Sequence, residues 1–248
     1  MNILTIDIGG NNVKMLATGQ VVRRKFQSGK SLTPAQLVAG VKQLTSDWKY
    51  DVISIGYPGR VVEDHPVTEP LNLGPGWVGF DFVAAFGCAV KMINDADMQA
   101  LGSYRGGTML FLGLGTGLGS TLIVRGHIVS LEIGHLSYRK GTVEDVLGRK
   151  GLEKLGRKKW RKAVEKAITR FSSALLLDDV VIGGGNSKEL KTLPVHCRLG
   201  HNDDAFLGGY RLWEPAANRA ALGEQIPGGN GSALKAMRGE RASAGAHS

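Results

Sequence analysis

The side chains best suited to acid–base chemistry lie in two short segments, residues 94–97 (NDAD) and 132–135 (EIGH). Asp95 follows a predicted strand at the start of a predicted helix, where its carboxylate can accept a proton from a substrate hydroxyl. The same position suits a helix N-cap, so Asp95 alone leaves both roles open. Glu132 and His135 lie three residues apart. Together they offer hydrogen-bond acceptors and donors, which the vicinal hydroxyl groups of a sugar require.

Three glycine-rich segments are suited to binding phosphate: residues 7–14 (DIGGNNVK), 113–120 (GLGTGLGS) and 183–186 (GGGN). Glycine lets backbone N–H groups approach an anion closely, and Asp7 at a strand end can hold a hydrated Mg²⁺. The last segment is predicted to open a helix, whose N-terminus attracts phosphate. Segment 113–120 fits neither a Walker loop nor a dinucleotide site, and a plain glycine hairpin stays open for it. The candidate phosphate-binding residues are Asp7, Gly9, Gly10, Asn11, Lys14, Gly115, Thr116, Gly117, Gly183, Gly184, Gly185 and Asn186.

The surrounding elements predict an α/β protein of two strand-rich units that face a cleft, each opening with a glycine turn. Apolar patterns predict strands over residues 3–7, 13–17, 21–26, 52–56, 90–93, 108–112, 120–124, 180–182 and 195–198. Helices are predicted from residue 33, with Thr33 as N-cap, and over 81–86, 95–104, 143–155, 158–177 and 204–213. We expect a small lobe over 1–106, a large lobe over 107–214, and a flexible tail over 215–248, which has few large apolar residues.

The net charge of +9 is concentrated in one segment of the chain. Residues 139–170 contain twelve Lys and Arg residues against four acidic residues, a net of +8, and residues 215–248 add +2. A solvated helix face explains such a run, and so does a strip that binds a polyanion. The candidate strip residues are Arg139, Lys140, Arg157, Lys158, Lys159 and Arg161.

Composition excludes several classes of protein. With 42% hydrophobic and 21% charged residues, the chain is typical of a soluble globular protein. It has no apolar run of about 18 residues and no basic leader, so we expect neither a membrane span nor a signal peptide. Cys88 and Cys197 lack metal-ligand spacing, which predicts reduced thiols in the cytoplasm and no structural zinc. The basic segment has few aromatic residues for stacking, which argues against nucleic acid as a partner.

Taken in chain order, six segments resemble the motifs of the ROK sugar kinases, and more narrowly those of the bacterial polyphosphate glucokinases. They are residues 7–14, 56–59 (GYPG), 94–96, 113–120, 132–135 and 183–186, within a resemblance that runs from about residue 3 to residue 214. The resemblance implies an actin-like ATPase (ribonuclease H-like) fold with two lobes around a cleft. It also implies a kinase that moves a terminal phosphoryl group to the 6-hydroxyl of glucose, and a homodimer.

By the same resemblance Asp95 is the catalytic base, and Asn94, Glu132 and His135 bind the sugar. Asn72, in a segment similar to the family's sugar-contacting loop, is a further candidate. Two departures stand out. The cysteine-rich zinc motif that most ROK kinases carry after the Glu-x-Gly-His stretch is replaced by residues 138–141 (YRKG), and the polyphosphate-using branch also lacks that motif. Asn11 stands where the family usually has Thr.

The basic strip favours inorganic polyphosphate as the phosphoryl donor. Polyphosphate offers only a repeating anion, so its affinity must come from Lys and Arg, whereas ATP is recognised partly through its base. Use of ATP as a second donor stays open. The alternatives are a strictly ATP-dependent hexokinase for glucose or mannose, and a sugar-responsive transcription regulator of the same family. The regulators carry an N-terminal helix-turn-helix, whereas this chain begins with a predicted strand, and we expect no nucleic-acid or membrane partner.

Overall fold

The computed structural model describes residues 1–138, 141–201 and 203–220. The strands in these ranges are β1 (Ile3–Ile8), β2 (Asn12–Ala17), β3 (Arg24–Gln27), β4 (Val52–Tyr57), β5 (Val61–Val62), β6 (His65–Pro66), β7 (Ala89–Asn94), β8 (Thr108–Leu114), β9 (Leu118–Val124), β10 (His127–Leu131), β11 (Ser137–Tyr138), β12 (Gly141–Thr142), β13 (Asp179–Gly183) and β14 (Cys197–Leu199). The helices are α1 (Pro34–Leu44), α2 (Phe82–Phe86), α3 (Asp95–Ser103), α4 (Val143–Leu147), α5 (Arg149–Leu175), α6 (Asp204–Arg211) and α7 (Ala216–Ala220).

Two five-stranded sheets of the same topology form the framework. The first has the order β3-β2-β1-β4-β7 and the second the order β10-β9-β8-β13-β14. In each sheet an antiparallel meander of three strands is followed by two strands parallel to the first of them. Each sheet has a glycine turn between its first two strands, and the division into two lobes at residue 106 stays a prediction.

Local signals in the sequence explain how α1 begins. The Thr33 hydroxyl accepts a hydrogen bond from the Gln36 backbone N–H, and the Gln36 side chain accepts one from the Thr33 N–H. This is a complete capping box with Pro34 at the first helical position, so the predicted N-cap is confirmed. The helix buries its apolar face, including Leu37 and Val41, against the first sheet.

Helix α3, which carries Asp95 at its start, is held against α6 at almost the backbone contact distance. A Cβ on Gly102 would lie 1.7 Å from the Asp204 carbonyl oxygen, and one on Gly208 would lie 1.8 Å from that of Met98. Only glycine fits at either position. Arg211 Nη1 donates to three carbonyl oxygens at the end of α3, at 2.8 to 2.9 Å. The position of α3 is therefore fixed along its whole length.

Helix α6 also returns the chain to the first sheet. Ser54 Oγ on β4 donates to the Gly209 carbonyl oxygen at 2.6 Å, and Thr5 Oγ1 on β1 donates to that of Phe206 at 3.4 Å. Of the predicted tail, Ala216–Ala220 form the short helix α7, and residues 221–248 lie outside the described ranges. No helix within the described ranges has the length and apolar character needed to cross a bilayer.

Two predicted helices meet at Gly156, inside α5. Gly156 has φ 71° and ψ 158°, a conformation open mainly to glycine, and it separates a short first segment from a long second one. The predicted break between residues 155 and 158 is therefore confirmed. The helix predicted to begin at residues 183–186 is much shorter than expected. There β13 ends at Gly183, and Ser187–Glu189 make only a single 3₁₀ turn.

Candidate active site

The carboxyl ends of β1, β4 and β7 meet at one edge of the first sheet and bring the acidic candidates together. In the strand register Asp7 pairs with Gly56, and Tyr57 pairs with Asn94. Asp95 then starts α3 directly above this edge. A Cβ on Gly56 would lie 2.4 Å from Met98 Cε, so a glycine at this point lets α3 pack closely against the first sheet. Parallel α/β sheets typically bind ligands at such strand ends.

The structure separates the two roles that the sequence left open for Asp95. Asn94 is the N-cap of α3, and its Oδ1 accepts the Ala96 backbone N–H at 2.9 Å. Asn94 Nδ2 donates to the Gly59 carbonyl oxygen at 3.1 Å, which fixes the loop after β4. Asp95 is the first helical residue, and its Oδ1 accepts the same Ala96 N–H at 2.9 Å. Since Asn94 is the N-cap, Asp95 is available for chemistry.

The environment of Asp95 tunes its carboxyl group for proton transfer. The pKa of Asp95 is raised to about 7. Burial is the main cause, and the negative charges of Asp7 and Asp97 also raise the pKa. The backbone N–H of Ala96 acts in the opposite direction. A general base is most effective when its pKa lies near the working pH. Perturbed carboxyl groups of this kind are also concentrated at functional sites.

The first glycine turn is a tight hairpin beside Asp7. The Gly9 N–H donates to the Asn12 carbonyl oxygen at 3.0 Å, while Gly10 and Asn11 are exposed at the tip. Lys14 Nζ lies 3.1 Å from Asp7 Oδ2. The half-buried Asp7 carboxylate and the Lys14 ammonium therefore stand together at the base of an open turn.

The second glycine segment is the β8–β9 hairpin, with its turn at residues 115–117. The hairpin interpretation is therefore correct, and the position of this hairpin also suits a phosphate site. A Cβ on Gly119 would lie 3.0 Å from Ala96 Cβ, so the hairpin packs directly on the residue that follows Asp95. Through this contact the second unit reaches the start of α3, next to Asp95.

Residues 183–186 support this turn from behind. Gly184 has φ +80°, and a Cβ there would lie 2.4 Å from the Leu114 carbonyl oxygen. The Asn186 backbone N–H donates to the same oxygen at 2.9 Å, and Asn186 Nδ2 donates to the Gly115 carbonyl oxygen at 2.8 Å. The Asn186 side chain, predicted to contact phosphate, is thus buried and holds the turn in place.

Glu144 is a functional candidate that the sequence pattern did not single out. Its Oε2 accepts the Leu118 backbone N–H at 2.9 Å, and a Cβ on Gly117 would lie 2.7 Å from the same oxygen. Glu144 therefore fixes the glycine turn from the side of α4. The contact joins residues 26 positions apart, and no local spacing predicts it.

Glu132 and His135 lie on the open side of the second unit. Their side chains are 76% and 75% exposed, and His135 Nδ1 lies 4.0 Å from Glu132 Oε2. Ser120 Oγ fixes the backbone on both sides of Glu132: it donates to the Leu131 carbonyl oxygen at 2.8 Å and accepts the Ile133 N–H at 3.1 Å. Two exposed polar groups on a fixed backbone suit the binding of a polyhydroxyl ligand.

Asn72 lies in a separate loop of the first unit, and its side chain is exposed. The loop is anchored by the buried Trp77, whose Nε1 donates to the Gly74 carbonyl oxygen at 2.7 Å. The Glu69 carboxylate accepts the backbone N–H groups of Trp77 and Val78 at 3.1 to 3.2 Å. The loop thus has a defined shape.

The basic helix α5 begins at the second glycine turn. The Arg149 N–H donates to the Gly115 carbonyl oxygen at 3.1 Å, and α5 buries Trp160 and Val164 in the core of the second unit. Arg157 Nε lies 2.7 Å from Glu189 Oε2, and Arg161 Nε donates to the Glu189 carbonyl oxygen. Lys158 and Lys159 are exposed. Arg139 and Lys140, the other two candidate strip residues, lie outside the described ranges.

A metal site formed by protein side chains alone is not found among residues 1–138, 141–201 and 203–220. No three His, Cys, Asp or Glu residues of these ranges are grouped closely enough to hold an ion. A hydrated Mg²⁺ needs fewer protein ligands, since it keeps several waters and takes one or two carboxylates together with substrate phosphates. Asp7 at the edge of the cleft, with Asp95 nearby, fits that donor set.

Comparison with known proteins identifies the family of the chain. The profile of the ROK family matches residues 3–151. A polyphosphate glucokinase of Mycobacterium tuberculosis (strain CDC 1551 / Oshkosh) is 27% identical over 206 residues, which cover 74% of this chain and 77% of that protein.

Two solved structures share the architecture. The inorganic polyphosphate/ATP-glucomannokinase of Arthrobacter sp. strain KM superposes with a TM-score of 0.70 at 22% identity, over 89% of this chain and 98% of its own. The ROK family glucokinase of Streptomyces griseus, in complex with glucose and AMPPNP, gives a TM-score of 0.60 at 17% identity, over 88% and 98%. The fold is the actin-like ATPase fold, as predicted.

Proposed function

The chain is a sugar kinase of the ROK family. We propose that it transfers the terminal phosphoryl group of inorganic polyphosphate to the 6-hydroxyl of glucose. The polyphosphate glucokinase relative supports this choice of donor and acceptor. Phosphoryl transfer needs alignment and charge neutralisation more than covalent chemistry from the protein. Each part of the site described above has a role in one of those two tasks.

Asp95 accepts the proton of the attacking hydroxyl in this proposal. Its carboxyl group lies at the meeting point of the two units, with a pKa of about 7. At neutral pH a large share of such a group is ionised, and its basicity is higher than that of an ordinary aspartate. Glu132 and His135 hold the sugar hydroxyl groups, with Asn72 as a further contact, and Asn94 keeps Asp95 in position through the N-cap.

The glycine turns bind the phosphates through backbone N–H groups at residues 10–11 and 116–117, while the N–H groups of Gly9 and Gly115 close the turns themselves. Lys14 adds a positive charge next to the first turn. Asp7 would hold a Mg²⁺ ion, which would supply charge neutralisation for the transferred phosphoryl group. When the two units close on the sugar, water is excluded as a competing acceptor.

The path of α5 is the observation that carries the choice of donor. Helix α5 starts at the second glycine turn and carries ten Lys and Arg residues against two acidic residues. In this proposal a polyphosphate chain whose end lies at the turn is bound by Lys158, Lys159 and further cations of α5. Binding a polyanion in this way releases counterions, so its affinity falls steeply as salt increases.

The test is a coupled assay for sugar 6-phosphate that crosses glucose and mannose with polyphosphate and ATP. We expect the highest kcat/KM with glucose and polyphosphate, and a KM for polyphosphate that rises steeply with NaCl. Turnover with ATP only would overturn the proposed donor and leave the kinase assignment intact. Higher kcat/KM with mannose than with glucose would overturn the proposed sugar.

A double variant isolates the strip. Lys158→Ala with Lys159→Ala should raise the KM for polyphosphate several-fold and lower the slope of log KM against log salt by roughly 2, about one for each phosphate contact removed. The matched control is Lys42→Ala with Lys49→Ala, which removes two exposed lysines from the first unit. Equal effects of the two double variants would show that net charge, rather than the strip, governs donor affinity.

A further inference from the structure

Asp97 is a buried carboxylate that joins the start of α3 to the β9–β10 hairpin. The residue is 3% exposed. Its Oδ1 accepts a hydrogen bond from Thr121 Oγ1 at 2.7 Å, and its Oδ2 accepts one from Ser130 Oγ at 2.5 Å. Thr121 lies on β9 and Ser130 on β10, so each carboxylate oxygen is bound by a different strand of the hairpin.

These two hydrogen bonds form a short connection between the base and the sugar-binding side. Asp97 follows Asp95 by two residues in the first turn of α3, and Ser130 precedes Glu132 by two residues at the end of β10. Ser120, next to Thr121, fixes the backbone on both sides of Glu132. A displacement of Asp97 would therefore shift Asp95, which is two residues away in the first turn of α3, and also Glu132, which is two residues after Ser130.

The cost of this arrangement argues that it serves more than packing. A buried carboxylate is unfavourable unless it is fully hydrogen-bonded, and apolar residues fill such positions without that cost. Burial raises the pKa of Asp97, while the hydroxyl groups of Ser130 and Thr121 act in the opposite direction. Asp97 also adds a negative charge beside Asp95, in a region that already holds Asp7 and Glu132.

We propose that Asp97 is a positioning residue that sets the distance between the proton-accepting Asp95 and the sugar held by Glu132, through its paired hydrogen bonds to Thr121 and Ser130. The inference rests on the proposed function for the roles of Asp95 and Glu132. Ser130 and Thr121 are paired across the β9–β10 hairpin, and both hydroxyl groups donate to the same carboxylate on α3. Loss of either hydroxyl group should therefore loosen the same connection.

The experiment measures kcat and the sugar KM of Asp97→Asn, Ser130→Ala and Thr121→Val, with the sugar and donor that the wild-type enzyme turns over best. Small misplacements of reacting groups cost up to about 100-fold, so we expect roughly 10-fold to 100-fold losses of kcat/KM. Ser130→Ala and Thr121→Val should each raise the sugar KM and lower kcat, because both remove a hydrogen bond from the same connection. Asp97→Asn should do both, since an amide offers only one acceptor oxygen. Ser130→Thr, which keeps the hydroxyl group, should restore kcat/KM to within about threefold of wild type.

Ser103→Ala is the matched structural control. Ser103 Oγ donates to Asp204 Oδ2 at 2.9 Å at the other end of the same helix, so this variant also removes a Ser–Asp hydrogen bond of α3. It should lower the melting temperature and leave kcat and KM unchanged. The proposal is overturned if Ser130→Ala and Thr121→Val behave like Ser103→Ala, with kcat and the sugar KM both within twofold of their wild-type values. A wild-type enzyme that prefers ATP or mannose would correct the proposed function. The ratios of variant to wild-type kcat and KM, measured with the preferred sugar and donor, would still decide the role of Asp97.

Discussion

Replacing Asp95 with Asn should lower the activity of the enzyme and raise its stability. Asn has nearly the same shape, and its Oδ1 can still accept the Ala96 N–H that Asp95 accepts. It cannot accept a proton, so turnover should fall roughly 100-fold or more. The gain in stability follows from the cost of keeping a negative charge in the half-buried site next to Asp7.

The size of that gain follows from the pKa of Asp95 in its two states. The value is about 7 in the folded protein, against an ordinary 3.8. The folded protein thus binds the proton more tightly than the unfolded chain, and its stability decreases as pH rises from about 4 to about 7. At 1.36 kcal/mol for each pKa unit, the ionised carboxylate costs about 4 kcal/mol above pH 7. Of this, about 2 to 3 kcal/mol develops between pH 5 and pH 8.

Urea unfolding of the wild type and of Asp95→Asn at pH 5 and pH 8, without divalent cations, measures this cost. The advantage of the variant in free energy of unfolding should grow by about 2 to 3 kcal/mol between the two pH values. Glu153→Gln, at an exposed carboxylate, is the control. An advantage that stays constant with pH would refute the desolvated environment of Asp95. Turnover above a tenth of wild type would remove Asp95 as the base.

Two further predictions concern the same site. The kcat/KM should rise with pH through an inflection near 7, because only ionised Asp95 accepts a proton. Asp7→Asn should move the inflection to lower pH, since it removes a neighbouring negative charge. A rate profile from pH 5.5 to 9 with no inflection would contradict this prediction. Gly184→Ala should cost about 1 to 3 kcal/mol of stability in thermal unfolding, because its φ of +80° and the Leu114 carbonyl oxygen 2.4 Å from its Cβ leave no relaxed position. Gly185→Ala, where a Cβ meets open space, should change stability by less than about 0.5 kcal/mol and is the control.

The framework could be predicted from the sequence because its signals are local. The capping box at Thr33, the break at Gly156 and the alternating strands each depend on residues within a few positions of one another. The helix predicted to begin at 183–186 is much shorter than expected because the fate of that segment depends on a distant contact. Gly184 packs on the Leu114 carbonyl oxygen, and the chain turns there instead of continuing as a helix.

The site shows the same division between local and distant effects. The segment that contains Asp95 could be found from its residue types, but the assignment of the N-cap to Asn94 needed the hydrogen bonds of the structure, and the role of Asp95 as base stays a prediction. Glu144 and Asp97 act through partners 24 to 33 residues away, on strands that only the fold brings alongside them. No pattern within one segment contains that information.

The distribution of charge links the donor to the position of the base. Asp7, Asp95, Asp97 and Glu132 are acidic groups that act on one another, whereas α5 starts at the second glycine turn with a large excess of cations. Under the proposed function a polyanion is attracted to α5 and repelled near Asp95. Only its terminal phosphate, neutralised at the glycine turns, has to enter the acidic end. A long inorganic chain gains from every cation it covers on the way, whereas a nucleoside triphosphate covers few of them, so this arrangement favours polyphosphate most at low salt.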